Sequence, residues 1–141
     1  MQSLVAHVAQ TSADPYLAGS QNRPIDSYIS WFERSINSST HPIYIAEVDG
    51  QAVGFIMGAI ASPYTRSAEI KVIGQIDLCW VEPAYRRQGI AKALCTELEN
   101  LFTQIGIKHI EVQYLLGNHE AETSWQRLGY SPYRIIARKV F

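Results

Sequence analysis

The feature that most constrains this chain is a junction, Val81 to Leu94, reading VEPAYRRQGIAKAL. Upstream of it, Lys71 to Val81 alternates like a strand, with Ile76, Leu78 and Trp80 on one side and Gln75, Asp77, Cys79 and Val81 on the other. Downstream, Ile90, Ala91, Leu94, Leu98, Leu101, Phe102 and Ile105 recur at helical spacing. Only a tight loop separates the two, so the spacing predicts a strand, a loop and an amphipathic helix in succession. A helix starting there presents backbone N–H groups without intrahelical partners, together with the positive end of its dipole. Gly89 leaves those amides approachable, Ala91 keeps the first turn open, and Arg86 and Arg87 add charge, which makes the junction a candidate anion site. Taken alone, the segment fits equally a surface loop with solvated arginines and a glycine chosen for its turn.

The rest of the chain supplies an α/β setting. Apolar residues at Ile25, Tyr28, Ile29, Phe32 and Ile36 predict a helix with one buried face, which Asp26 can cap. IYIAEVDGQAVGFIMGAI gives two β-rich runs around Asp49-Gly50, a pair that favours a tight hairpin turn. Gly106 ends the helix that follows the junction, and KHIEVQYLL reads as a strand. Strand, helix, strand implies a right-handed crossover and a parallel pair. Asn118 to Leu128 reads as a second helix stopped by Gly129, and SPYRIIARKVF as a closing strand. Thr11–Pro24 and Asn37–Pro42 are rich in turn formers and read as loops or helix ends.

Composition narrows the function classes. A chain of 141 residues, 47% hydrophobic and without an internal repeat or low-complexity linker, suits one domain over residues 1–141. Its 12 basic and 13 acidic residues nearly cancel, which argues against nucleic acid or an acidic membrane surface as partner. The N-terminus MQSLVAHVAQ lacks a basic leader, and the run Ala52 to Ala61 is about half of the roughly 20 residues that span a bilayer. No signal peptide and no membrane span are expected. Cys79 and Cys95 sit in apolar contexts without metal-ligand or disulfide-framework spacing, so reduced thiols and a cytoplasmic location are expected. His7, His41, His109 and His119 share no metal spacing and read as surface or packing residues; no metal is expected.

Arg86-Arg87-Gln88-Gly89-Ile90-Ala91 resembles the (Arg/Gln)-x-x-Gly-x-(Gly/Ala) signature of the GNAT family of acyl-CoA-dependent N-acetyltransferases. Val81-Glu82-Pro83-Ala84-Tyr85-Arg86 is similar to the family's Val-x-Pro-x-x-Arg approach, and Asn118-His119-Glu120-Ala121 and Gly129-Tyr130 to its Asn-x-x-Ala and Gly-Phe/Tyr elements. The likeness runs from about Ile43 to Phe141. It implies a mixed central sheet flanked by helices and splayed between two parallel strands, with acetyl-CoA in the splay and its pyrophosphate on the loop amides of Arg86, Arg87, Gln88, Gly89, Ile90 and Ala91. It further implies a donor-binding role for Asn118, an oxyanion donor among the backbone groups of Cys79, Trp80 and Val81, and a homodimer paired through sheet edges or C-terminal strands. The family's opening strand is missing or atypical in MQSLVAHVAQTSADPYLAG, the region that in relatives helps to wall the acceptor site. There is no Gly-Lys-Ser/Thr for a nucleoside triphosphate and no Gly-x-Gly-x-x-Gly for a dinucleotide.

Direct transfer from thioester to amine requires a proton acceptor, because an amine arrives mostly as an ammonium. Asp77, on the polar face of its strand, is the first candidate and Glu82, one residue before Pro83, the second; the Gln75 amide cannot titrate. Trp125 stands where many relatives carry a tyrosine that reprotonates the leaving thiolate, and an indole N–H donates a hydrogen bond but no proton at neutral pH. Tyr114, Tyr130 and Tyr133 are alternative donors, and Trp125 reads as packing. Cys79 need not be a nucleophile, since direct transfer uses none. The resemblance thus implies acetylation of a primary amine on a small molecule or peptide; a non-catalytic acyl-CoA-binding module is the rival, and a scaffold without CoA a distant third.

Overall fold

The computed structural model describes residues 33–36 and 38–141. Residues 33–36 are helical; the rest of the helix expected from Ile25, its Asp26 cap and the question of an opening strand lie outside the described residues. Six elements follow: strands β1 (Ile43–Val48), β2 (Gln51–Ala61) and β3 (Ile73–Val81), helix α1 (Ile90–Gln104), strand β4 (Ile110–Val112) and helix α2 (His119–Arg127). They form a mixed four-stranded sheet in the order β1-β2-β3-β4, antiparallel except for β3 and β4. The hairpin turns where expected: Asp49 (φ 51°) and Gly50 (φ 77°) are both left-handed, the geometry of a turn whose twist matches its strands.

Helix α1 lies across one face of this sheet. Leu94, Cys95, Leu98 and Phe102 are buried with Ile56, Ile76 and Val81 of the strands. Its approach is close because β2 and β3 offer glycines beneath it. A Cβ at Gly58 would stand 2.9 Å from Leu98 Cδ1, and one at Gly74 2.6 Å from Phe102 Cδ2. The helix ends as the sequence indicates: Gly106 (φ 87°) and Ile107 donate to the carbonyls of Thr103 and Phe102 in a Schellman closure. Ile105, expected on the apolar stripe, caps this end instead and is 51% exposed.

Two expectations need correction. The alternation along β3 breaks: β2 residues Met57 and Gly58 pair with Leu78 and Ile76, which leaves Asp77 as an extra, bulged residue. Ile76 therefore shares the α1 side with Val81 and Cys79, and not a face with Leu78 and Trp80. A period-two reading cannot find this, because one inserted residue swaps faces for everything beyond it. The closing strand SPYRIIARKVF is also absent: residues 131–141 form no strand and every one is exposed. No helix of the described residues is long and apolar enough to cross a membrane.

Candidate active site

The sequence-predicted residues fall into two neighbouring groups, one on the loop before α1 and one along β3. On the loop, Pro83–Tyr85 makes a single 3-10 turn, and Arg87 (φ 62°) and Gly89 (φ 84°) then adopt left-handed conformations. Left-handed residues in a tight turn gather successive N–H groups into a concave anion-binding nest. Gly89 is the N-cap of α1 and no side chain caps the helix, so the amides of its first turn, from Ile90 and Ala91 onward, face the same space. A Cβ at Gly89 would meet no protein atom within 4 Å. Exposed amides with open space above them fit a phosphate group of an acyl-CoA donor. Gln88 is exposed and donates to the Ala84 carbonyl at 3.3 Å.

Arg86 has scaffold partners. Its Nε donates to the Val81 carbonyl at 2.9 Å, its Nη1 to Glu120 Oε1 at 3.0 Å, and its guanidinium lies 4.6 Å from the centre of the Trp80 ring. Trp80 in turn donates through Nε1 to Glu82 Oε1 at 3.3 Å. The loop is thereby tied to β3 on one side and to the start of α2 on the other. Asn118 caps α2, its Oδ1 accepting from the Ala121 N–H at 3.1 Å.

Along β3, the ladder to β4 runs only from Gly74 to Ile76. From Asp77 to Val81 the two parallel strands part, so the bulge sits where the gap begins. The Asp77 carboxylate is half-buried and accepts from Gln75 Nε2 at 3.0 Å. Burial pushes its pKa above the ordinary carboxylate value, against opposing pulls from His41 and the Gln75 hydrogen bond. Cys79 and Cys95 carry free thiols in or beside the core, and the hydrogen bond between them, with burial, holds the Cys95 thiol well above its usual range. Among the described residues, no group of three or more His, Cys, Asp or Glu could hold a metal ion.

The tyrosines are less available as acids than their number suggests. Tyr130 donates its hydroxyl to Glu99 at 2.7 Å, and burial with this bond pushes its pKa up beyond the ordinary phenol value. Tyr133 donates to Glu111 at 2.6 Å, which likewise raises it. Trp125 packs against the core and meets Tyr130 edge-on, ring centres 5.5 Å apart. Sequence reasoning missed the bulge, the guanidinium stacked on Trp80 and the proximity of His41 to Asp77. The Arg86–Glu120 pair spans 34 residues of chain and leaves no local signal.

A parallel pair that parts beside a glycine-opened helix N-terminus defines a class, the acyl-CoA-dependent transferases. The Acetyltransferase (GNAT) family model matches residues 6–130, and the chain belongs to this family. Solved structures similar in fold include aminoglycoside 6'-N-acetyltransferase AAC(6')-IG from Acinetobacter haemolyticus, with a TM-score of 0.76 at 19% identity over 84% of this chain and 82% of that one. AAC(6')-Iy, in complex with the bisubstrate analogue CoA-S-monomethyl-acetylneamine, gives 0.74 at 22% identity over 84% and 82%. AAC(6')-Ih from Acinetobacter baumannii gives 0.73 at 22% identity over 82% and 80%.

Proposed function

We propose that this chain transfers an acetyl group from acetyl-CoA directly to a primary amine of a small molecule or peptide. The observation that carries this reading is the placement of a half-buried carboxylate, Asp77, where β3 and β4 part, on the strand that runs into the amide nest at Gly89. The nest and the first turn of α1 hold the donor's phosphates, and the backbone of Cys79, Trp80 and Val81 along the gap supplies hydrogen bonds to the developing oxyanion. Asp77, or Glu82 in its place, takes the proton that turns the ammonium into a nucleophile. The new C–N bond then forms as the C–S bond breaks, the nitrogen releases its second proton to solvent, and CoA leaves as a thiolate, tolerable for a thiol of pKa about 8.5. We place the reaction in the reducing cytoplasm, a reading supported by the free thiols of Cys79 and Cys95.

One observation favours the rival reading, a module that binds acyl-CoA without turnover: Trp125 is packing, and Tyr130 is engaged by Glu99. CoA release measured across aminoglycosides, polyamines and peptide N-termini, with acetyl-CoA binding established separately by calorimetry, decides between them. Binding with no amine-dependent release across the panel selects the rival, and absence of binding overturns both. We further propose that the chain works as a homodimer in which residues 131–141 of each copy complete the sheet of the other, supported by the exposure of that whole segment beside β4, which ends the sheet among the described residues.

A further inference from the structure

We propose that His41 and Gln75 are positioning residues for Asp77, one reaching it across the sheet and the other along its own strand, so that the bulged carboxylate is braced for proton abstraction. This rests on the transfer reading above, but its geometry does not. Hydrogen bonds from Gly58 N–H to the Pro42 carbonyl (2.9 Å) and from Ile60 N–H to the Thr40 carbonyl (2.8 Å) extend the β1–β2 register and set His41 opposite Ala59. Ala59 is itself paired with Gln75. His41, Ala59 and Gln75 thus form a row across the sheet, on the face away from α1, because Tyr44, Ala46, Ile56 and Gly58 occupy the α1 side. The middle member is an alanine, whose small side chain leaves room for the longer ones on either hand. Gln75 Nε2 donates to Asp77 Oδ1 at 3.0 Å. The His41 ring is oriented from behind: its Nδ1 lies 3.0 Å from Thr40 Oγ1 and 3.2 Å from Ser38 Oγ, which leaves Nε2 as its available ring atom.

The electrostatics agree with the geometry. Desolvation works against the ionised Asp77, and His41 and Gln75 are the two influences opposing it. Among the described residues, the neighbouring part of β2 offers Met57 and Ala59 and no titratable group, while β4 brings Glu111 into register with Gln75, where it accepts the Tyr133 hydroxyl.

The test follows the Asp77 carboxyl ¹³C resonance through a pH titration of the full chain, in the wild type, His41→Gln and Gln75→Leu, each checked for a native amide spectrum. Asp77 is expected to titrate at higher pH in both variants; an unchanged midpoint in both overturns the proposal, whether or not the protein turns anything over. The second arm measures kcat against pH with acetyl-CoA and sisomicin. A severalfold loss on the acidic limb that fades as pH rises, with acetyl-CoA KM unchanged, is the expected result. Persisting turnover with an unmoved acidic limb overturns the catalytic role. No sisomicin turnover in any variant, with the carboxyl shift intact, counts against sisomicin transfer and leaves the brace standing.

Discussion

At the scale of single residues, Asp77 carries opposed demands of stability and chemistry. Its carboxyl is raised in the fold by burial, so the folded state holds the proton more tightly than the unfolded chain. Its contribution to stability is therefore most favourable below the unfolded carboxylate range and is lost as pH rises through the raised folded value. Asp77→Asn is expected to melt at a higher temperature than wild type at pH 7, with the gap closing on acidification below about pH 4. The same variant is expected to bind acetyl-CoA normally, because backbone groups hold the donor, while kcat falls by roughly 10² to 10⁴. Thermal scans, calorimetry and a CoA-release assay read the three effects separately, and near-wild-type turnover from pH 6 to 9 would transfer the base role to Glu82 or a water chain. Gly89 tests the other half of the site. Gly89→Val puts a β-branched side chain at φ 84° and into the space above the first-turn amides. Losing two charge-assisted hydrogen bonds of about 1.5 to 3 kcal/mol each weakens acetyl-CoA binding by about 10² or more. Unchanged calorimetric affinity in folded Gly89→Val would sink the phosphate nest.

At the scale of elements, the glycines under α1 show how closely the sheet and helix are fitted. Gly74→Ala places a Cβ 2.6 Å from one ring carbon of Phe102 and 2.7 Å from another, and that ring is completely buried. Overpacking of this kind costs about 1 to 3 kcal/mol, to be read from chemical denaturation, and an unchanged midpoint would show that the ring has room to move. Asn118→Ala, which removes the cap of α2, is expected to cost about 1 kcal/mol in the same experiment. The hairpin at Asp49-Gly50, the start of α1 at Gly89 and its end at Gly106 were legible in the sequence because each is fixed by local backbone chemistry; the helix after Asn118 was legible too, but not the role of Asn118 as its cap. The bulge at Asp77 was not, because it exists only in the pairing of β2 with β3, and the face reading of Ile76 failed with it. For the same reason the sequence could nominate Asp77 but not its neighbours. His41 lies 36 positions earlier in the chain (77 − 41) and comes near only through two strand registers.

At the scale of the whole molecule, residues 131–141 stand apart from the packed domain. They mix apolar residues with the cations Arg134, Arg138 and Lys139, yet Ile135, Ile136, Val140 and Phe141 are 76% to 106% exposed. The near end of the segment is anchored through Tyr133 to Glu111 and through Arg134, whose guanidinium lies 4.6 Å from the Tyr64 ring centre, and further along Lys139 lies 4.9 Å from the Phe141 ring centre. Among the described residues the sheet stops at β4, and beside it lies a groove of about 330 Å³ lined by Ile110, Val112, Tyr114, Leu128 and Tyr130, with Tyr133 of the same segment at its rim. An open edge of this kind invites a further strand, and an exposed apolar strand needs an edge. In the homodimer proposed above a second copy would supply both, a two-fold exchange seating residues 131–141 of each copy against the β4 edge of the other. Eleven residues in extended form reach about 36 Å, ample for such a crossing. Light scattering at tens of micromolar is expected to give twice the chain mass of 15.8 kDa, and Ile135→Lys with Ile136→Lys to give the monomer. Hydrogen exchange completes the test: amides from 135 to 141 are expected to be protected in the wild type and to exchange freely in the double variant. A wild type that stays monomeric removes the dimer. A dimer whose tail amides exchange at unprotected rates keeps the assembly but moves its interface elsewhere.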